Sequence, residues 1–209
     1  MTETSARPSA APVSSGGSEH ALHERTRLPE AYAWLEREHP RADWPTLRLH
    51  AAARFWLERH AWFRTTQVRM VEQGRRFHEG GSDSLGFARA TLPALSGFLQ
   101  HLDGHHRIES EHYFPAMAVQ EPRMQAGFDL LDRDHETIHQ ILAELAEAAV
   151  ALQRALAAGS DAPAAAARLA AVIEGAGRPL TRHLDDEEDI VVPMLTRYGD
   201  PFELADAAR

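Results

Sequence analysis

The chain has 209 residues, 44% of them hydrophobic, and a formal net charge of −9, which suits one globular domain with a core of its own. It contains no cysteine, so disulfides, iron–sulfur clusters, zinc ribbons and thiol nucleophiles are excluded, and any metal must be held by nitrogen and oxygen. Its 22 basic residues are all arginine, which excludes lysine-dependent phosphate loops and Schiff bases, and the acidic balance argues against a nucleic-acid partner.

Residues 1–28 are rich in Ala, Pro, Ser and Gly and read as a disordered tail. They lack a basic segment followed by an apolar run, and no later run approaches a membrane span, so a cytoplasmic protein without a membrane partner is expected. Residues 29–45 hold a short helix stopped by Pro40, then a turn. A long helix is expected from about Thr46 to His78, with Leu49, Ala53, Trp56, His60, Phe63, Gln67 and Met70 near one face. "EGGSDS" at 79–84 breaks it, and Asp83 or Ser84 can cap the next helix.

The second long helix is expected over Leu85 to Tyr113, with Leu92, Leu95, Leu99 and Leu102 on its apolar side and a kink at Pro93. The third runs from Arg123 to Ala157. The fourth runs from Ala164 to Leu195, with an interruption near "GAGRP". Short connections force antiparallel neighbours. The expected fold is therefore all-α, an up-down-up-down four-helix bundle over 46–200, with 201–209 as a C-terminal tail.

Histidine is unusually frequent, at 13 residues. "HHRIESEHYFP" and "RHLDDEEDIVVP" share a pattern. His105 aligns with His183, Glu109 with Glu187 and Pro115 with Pro193, each pair 78 positions apart. His135 and His139 form a related pair in "DHETIH". Residues four apart on a helix lie about 40° apart in angle and roughly 6 Å apart along the axis, so each pair shares a face.

Depth along the bundle brings the pairs together. His105 lies 22 residues past Asp83, His183 lies 22 past Asp161, and His139 lies 20 before Gly159. On the first long helix His60 lies 20 residues before Gly80 and meets the same layer. His50 misses that layer by roughly 15 Å. The candidate metal ligands are His60, His105, Glu109, His135, His139, His183 and Glu187. Imidazole and carboxylate suit first-row metals, iron above all for redox chemistry. Five imidazoles, two bridging carboxylates and a bridging oxide or hydroxide supply about eleven of the roughly twelve bonds that two irons need, leaving one position open.

Other residues have competing readings. His106 lies about 100° around the helix from His105 and is expected at the surface or behind the ligands. His101 and His112 share the His105 face and could donate to the ligating carboxylates. Asp185, Asp186 and Asp189 read as a solvated acidic face. Gly97 and Gly104 share a helix face, where close helix packing or space for a small ligand would offset their helix-weakening effect.

These motifs resemble the hemerythrin-like, or HHE cation-binding, family over about residues 46–197. The matching stretches are "RHAWF", "HHRIESEHYFP", "DHETIH" and "RHLDDEEDIVVP". The resemblance implies a four-helix bundle with two non-haem iron ions held by the seven residues above, both glutamates bridging. It also implies a small diatomic or peroxide ligand, with dioxygen or nitric oxide bound for sensing, storage or delivery, or peroxide decomposed. The family's oxygen carriers place an aspartate five residues after the last histidine, where this chain has Glu188. An ideal helix puts Glu188 about 140° from His183 and Glu187 about 40°, favouring Glu187; a π-bulge would reverse the choice. A ferritin-like oxidase would need Glu-x-x-His on two helices. Glu109–His112 and Glu136–His139 have that spacing, but the fourth helix does not. A metal-free or zinc-holding bundle is the remaining alternative.

Overall fold

The computed structural model describes residues 21–203. The helices are α1 (Trp34–Glu38), α2 (Ala51–His78), α3 (Ser84–Ile108), α4 (Phe114–Gln120), α5 (Gln125–Ala158) and α6 (Ala162–Tyr198). A single π-helical turn, Glu109–Tyr113, joins α3 to α4. Among the described residues there is no strand, and no helix is long and apolar enough to cross a membrane. The four long helices α2, α3, α5 and α6 pack as neighbours, α2 on α3 and α6, and α5 on α3 and α6. The fold is an all-α bundle.

The helix boundaries follow local chemistry. His50 caps α2, its Nδ1 accepting from the Ala52 N–H, so α2 starts at Ala51 rather than Thr46. Asp83 caps α3 by accepting from the Gly86 N–H at 2.7 Å. Gly159 ends α5 at φ 66°, a left-handed position that glycine adopts without strain.

α3 continues through Pro93, as a single helix. One expected interruption is corrected. α6 is uninterrupted through "GAGRP". Pro179 removes one N–H from the α6 ladder. Ala176 and Leu180 are nevertheless buried beside it, and Gln67 Nε2 donates to the Ile173 carbonyl at 2.5 Å. Tertiary packing thus holds a stretch whose composition alone favours a break.

The N-terminal tail expected over 1–28 lies only partly within the described residues. Residues 21–28 pack on the bundle, with Leu22, Arg25 and Leu28 all buried. Residues 1–20, and 204–209 of the expected C-terminal tail, lie outside the described residues.

The core is in two parts. One contains Phe63, Phe98, Leu102, Ile138, Leu142 and Leu184. The other contains Trp56, Phe114, Phe128, Leu131, Ile190 and Leu195. Along α2, α5 and α6, and from α3 through the π-helical turn into α4, the chain passes from one cluster to the other across a polar layer. His60 lies between Trp56 and Phe63, His135 between Leu131 and Ile138, and His183 and Glu187 between Leu180 and Ile190.

Near the far end of the second cluster, Glu121 ties α4 to α6. It accepts from Arg123 Nε at 2.7 Å, from the Arg123 N–H and from the Tyr198 hydroxyl at 2.7 Å. Arg123 is the main reason its carboxyl is lowered to about 2. A depressed folded-state pKa contributes stability above the ordinary carboxylate range, and that stability is lost as pH falls toward about 2. Replacing Glu121 by Gln therefore flattens the acid limb of a stability–pH curve between about pH 4.5 and 2, measured by urea unfolding.

Candidate metal centre

The polar layer holds two groups whose ligand atoms converge. His60, His105, Glu109 and Glu187 form one, and His106, His135 and His183 form the other; within each group the ligand atoms lie within 4.8 Å of one another. The two carboxylates reach across both. Glu109 sets Oε1 at 2.8 Å from His105 Nε2 and Oε2 at 3.5 Å from His135 Nε2. Glu187 sets Oε1 at 3.4 Å from His60 Nε2 and Oε2 at 3.2 Å from His183 Nε2. Two histidines thus stand on one side and three on the other, with both glutamates between.

Six of the seven residues expected from the sequence meet here. His139 does not: its side chain is 46% exposed and its Nε2 lies 3.7 Å from Asp103. The inward face of α5 runs Leu131, His135, Ile138, Leu142 and Leu145, so Ile138 holds the interior position and His139 beside it turns to the rim. His106 takes the interior place, against the expectation of a surface or supporting position. It is fully buried, stacked on His135 at 4.1 Å between centroids and edge-on to His183 at 5.2 Å. The signal was present in the sequence. Leu95, Phe98, Leu102, His106 and Glu109 follow three- and four-residue steps along the buried face of α3. His101 and His112 are exposed and join neither group.

α6 keeps α-helical geometry, so Glu187 faces the layer while Glu188 turns aside. Glu188 Oε1 lies 3.0 Å from His60 Nδ1 and accepts from Arg64, and its Oε2 accepts from Arg41 at 2.6 Å. The π-helical turn falls in the other half of the pseudo-repeat. It carries Ser110, whose hydroxyl donates to Asp132 and lies 2.9 Å from His135 Nδ1. Asp134 lies 3.6 Å from His183 Nδ1. Glu188 and Ser110 at Nδ1 fix the rings of His60 and His135, and the Asp134 carboxylate flanks Nδ1 of His183, which leaves Nε2 of each facing the site. Trp56 Nε1 donates to Glu187 Oε1.

Sequence reasoning missed these supporting groups, above all Arg25. Buried in the N-terminal segment, Arg25 pairs with Asp134 through its terminal nitrogens and with Asp186 through Nε at 2.6 Å. The expected solvated acidic face is corrected accordingly. Asp186 is fully buried between Arg25 and Arg182, and Asp189 pairs with Arg41. Arginines brought in from the N-terminal segment and α2 neutralise that side of α6.

The layer has buried polar atoms without hydrogen-bond partners: both ring nitrogens of His106 and of His183, both oxygens of Glu109, Nε2 of His135, and Oε2 of Glu187. Buried polar groups are normally satisfied. A cation in each group would satisfy these atoms, apart from the second ring nitrogen of His106 and of His183. The donor set of imidazole nitrogens and carboxylate oxygens fits a first-row metal.

Without a cation the charges adjust to one another. Burial would lower His183, but Asp134 and Glu187 raise it to about 9. Burial would likewise lower His60, yet Glu187 and Glu188 raise it. Burial, reinforced by the nearby Glu187 charge, raises Glu109 well above the usual carboxylate range. Burial lowers His105 to about 3, and burial also lowers His106 and His135.

Ligands must shed protons to bind metal. Loading metal at pH 7.5 should therefore release about one to three protons per chain, read from titrations in buffers of different ionisation enthalpy. His106→Ala should lower bound metal by about one ion per chain, whereas His139→Ala should leave metal content unchanged, measured by elemental analysis. Arg25→Met leaves two buried carboxylates without their shared cation and should destabilise the fold by about 3–5 kcal/mol in urea unfolding.

Comparison with known proteins agrees with this geometry. The hemerythrin HHE cation-binding domain description matches residues 51–195. Neither a curated protein nor a solved structure matches the chain. The matched span contains all four long-helix motifs and both ligand groups, and the chain belongs to the hemerythrin HHE cation-binding domain family.

Proposed function

We propose that the chain is a non-haem di-iron protein that binds a small molecule such as dioxygen or nitric oxide at an open iron position, for sensing, storage or delivery in the cytoplasm. The observation that carries this reading is the pair of carboxylates, Glu109 and Glu187, each with one oxygen toward each histidine group. Two ions sharing two carboxylates would use every inward-facing oxygen. His60 and His105 would serve one ion, and His106, His135 and His183 the other.

The inequality of two histidines against three supports an open position on the His60–His105 side. When bound, two irons supply reversible one-electron chemistry and affinity for small exogenous ligands. The protein's part is to hold the imidazoles by Nδ1, to orient Glu187 through Trp56, and to exclude bulk water with the two apolar clusters. His105 is 13% exposed at its side chain, while His60, His135 and His183 are 3% or less. A ligand arriving from solvent therefore meets the His105 side first.

Iron quantification with optical spectra tests the reading. About two irons per chain are expected, with a charge-transfer band in the oxidised protein that shifts on adding azide. His105→Ala should abolish the azide response while the helical circular dichroism persists. A protein that holds no iron, or whose spectrum ignores azide, overturns the proposal. Sustained oxygen evolution from peroxide by the iron-loaded protein would assign the centre to peroxide decomposition instead.

A further inference from the structure

A cavity of about 480 Å³ opens beside the His105 side of the centre. A diatomic ligand needs roughly the ~30 Å³ that a water occupies. The volume instead falls within the ~300–1,000 Å³ typical of pockets for organic ligands. Its walls are mostly apolar. Trp56 and Tyr113 stand edge to face at 5.0 Å, and Phe55 and Ile108, 59% and 49% exposed, flank it from α2 and α3. His105 and Glu109 also line it.

Gly104 forms part of the wall, and a Cβ built there meets no atom within 4 Å. Close helix packing therefore does not explain this glycine, and a side chain would project into open space. Gly97, seven residues earlier, also has nothing within 4 Å but does not line the cavity.

The charges in the lining are selective. Arg25, Arg41, Arg64 and Arg182 around the centre are all engaged by carboxylates. Among the described residues, Arg59 and Arg107, which line the cavity, have no carboxylate partner; the Arg59 guanidinium rests over the Phe55 ring at 5.5 Å. Two acids share the lining, but Asp103 lies 3.7 Å from His139 and Glu109 turns its oxygens to His105 and His135, so neither is paired with the two arginines. Guanidinium groups beside an apolar, aromatic-walled space match a molecule with an anionic head and an apolar body.

We propose that this cavity binds an organic carboxylate with an apolar body, its head on Arg59 and Arg107 and its body against Phe55, Trp56, Ile108 and Tyr113, next to the His105 side of the centre. The proposal rests on the reading of His105 and Glu109 as metal-facing residues and names a ligand class for the space in front of them. Such a ligand would stand between solvent and the open position, so its occupancy would control what else reaches the centre.

Calorimetric titration of the full chain with octanoate, octan-1-ol and acetate tests it, with metal content measured on the same sample. Octanoate should bind at least about tenfold more tightly than octan-1-ol, which lacks the charge, and than acetate, which lacks the body. The Arg59→Gln/Arg107→Gln double variant should lose about tenfold in octanoate affinity. Gly104→Leu should fill the cavity and abolish binding, while Gly97→Leu should retain it. Equal binding of octanoate and octan-1-ol, or octanoate affinity unchanged in the double variant or in Gly104→Leu, overturns the proposal. Octanoate binding that depends on metal but not on the arginines overturns it too, since the carboxylate would then be a metal ligand alone. A sample that lacks iron but binds octanoate with the expected pattern separates failure of the di-iron reading from failure of this one.

Discussion

Five imidazoles and two carboxylates sit in a layer closed on both sides by hydrocarbon, and the rest of the molecule is arranged around that layer. Removing a carboxylate from water costs several kcal/mol unless charge and hydrogen bonds are returned to it. Glu109 and Glu187 are both buried and lie close enough for the charge on one to suppress ionisation of the other. Cationic partners on the inward side relieve this. On the outward side the protein provides a second ring of groups: Glu188 with Arg41 and Arg64, Asp134 and Asp186 with Arg25, and Ser110 with Asp132. The inner ring decides what can be bound, and the outer ring decides whether the inner ring holds its shape.

The layer divides the hydrophobic core in two. Phe63 and Leu102 belong to one cluster and Trp56 and Phe114 to the other. Each cluster alone spans only a few turns of each helix. Their common boundary is the site, so contacts across it join the halves of the bundle. Stability and metal binding are thereby linked, because any ligand preferring the folded form shifts the folding equilibrium.

Much of this was legible in the sequence because helical periodicity is simple. The 78-residue offset linking His105 with His183 and Glu109 with Glu187 placed two pairs, and an equal distance from the turns placed His60, while the same count also drew in His139, which the structure turns to the rim. His106 was harder to read. Judged by its angle from His105 it points away, but judged from Phe98 and Leu102 it continues the buried face. A helix that begins its inward face with large apolar residues fixes the facing of its polar ones, and that reference was the more reliable one. His139 follows the same rule, since Ile138 already occupies the inward position. The arginine ring was not legible. It depends on side chains that meet across more than 100 residues of chain, and no local pattern announces such contacts.

Arg25 carries a consequence for how the molecule is assembled. Its two partners lie 109 and 161 residues further along the chain. The segment is made early in synthesis, yet its docking surface is complete only after α6 has packed on α5. Long-range contacts of this kind form late and set the pace of folding. Seating of this segment therefore requires α5 and α6 to be in place, and it covers the outer side of the α5–α6 seam. A bulky fusion placed directly before Ala21 would work against that step.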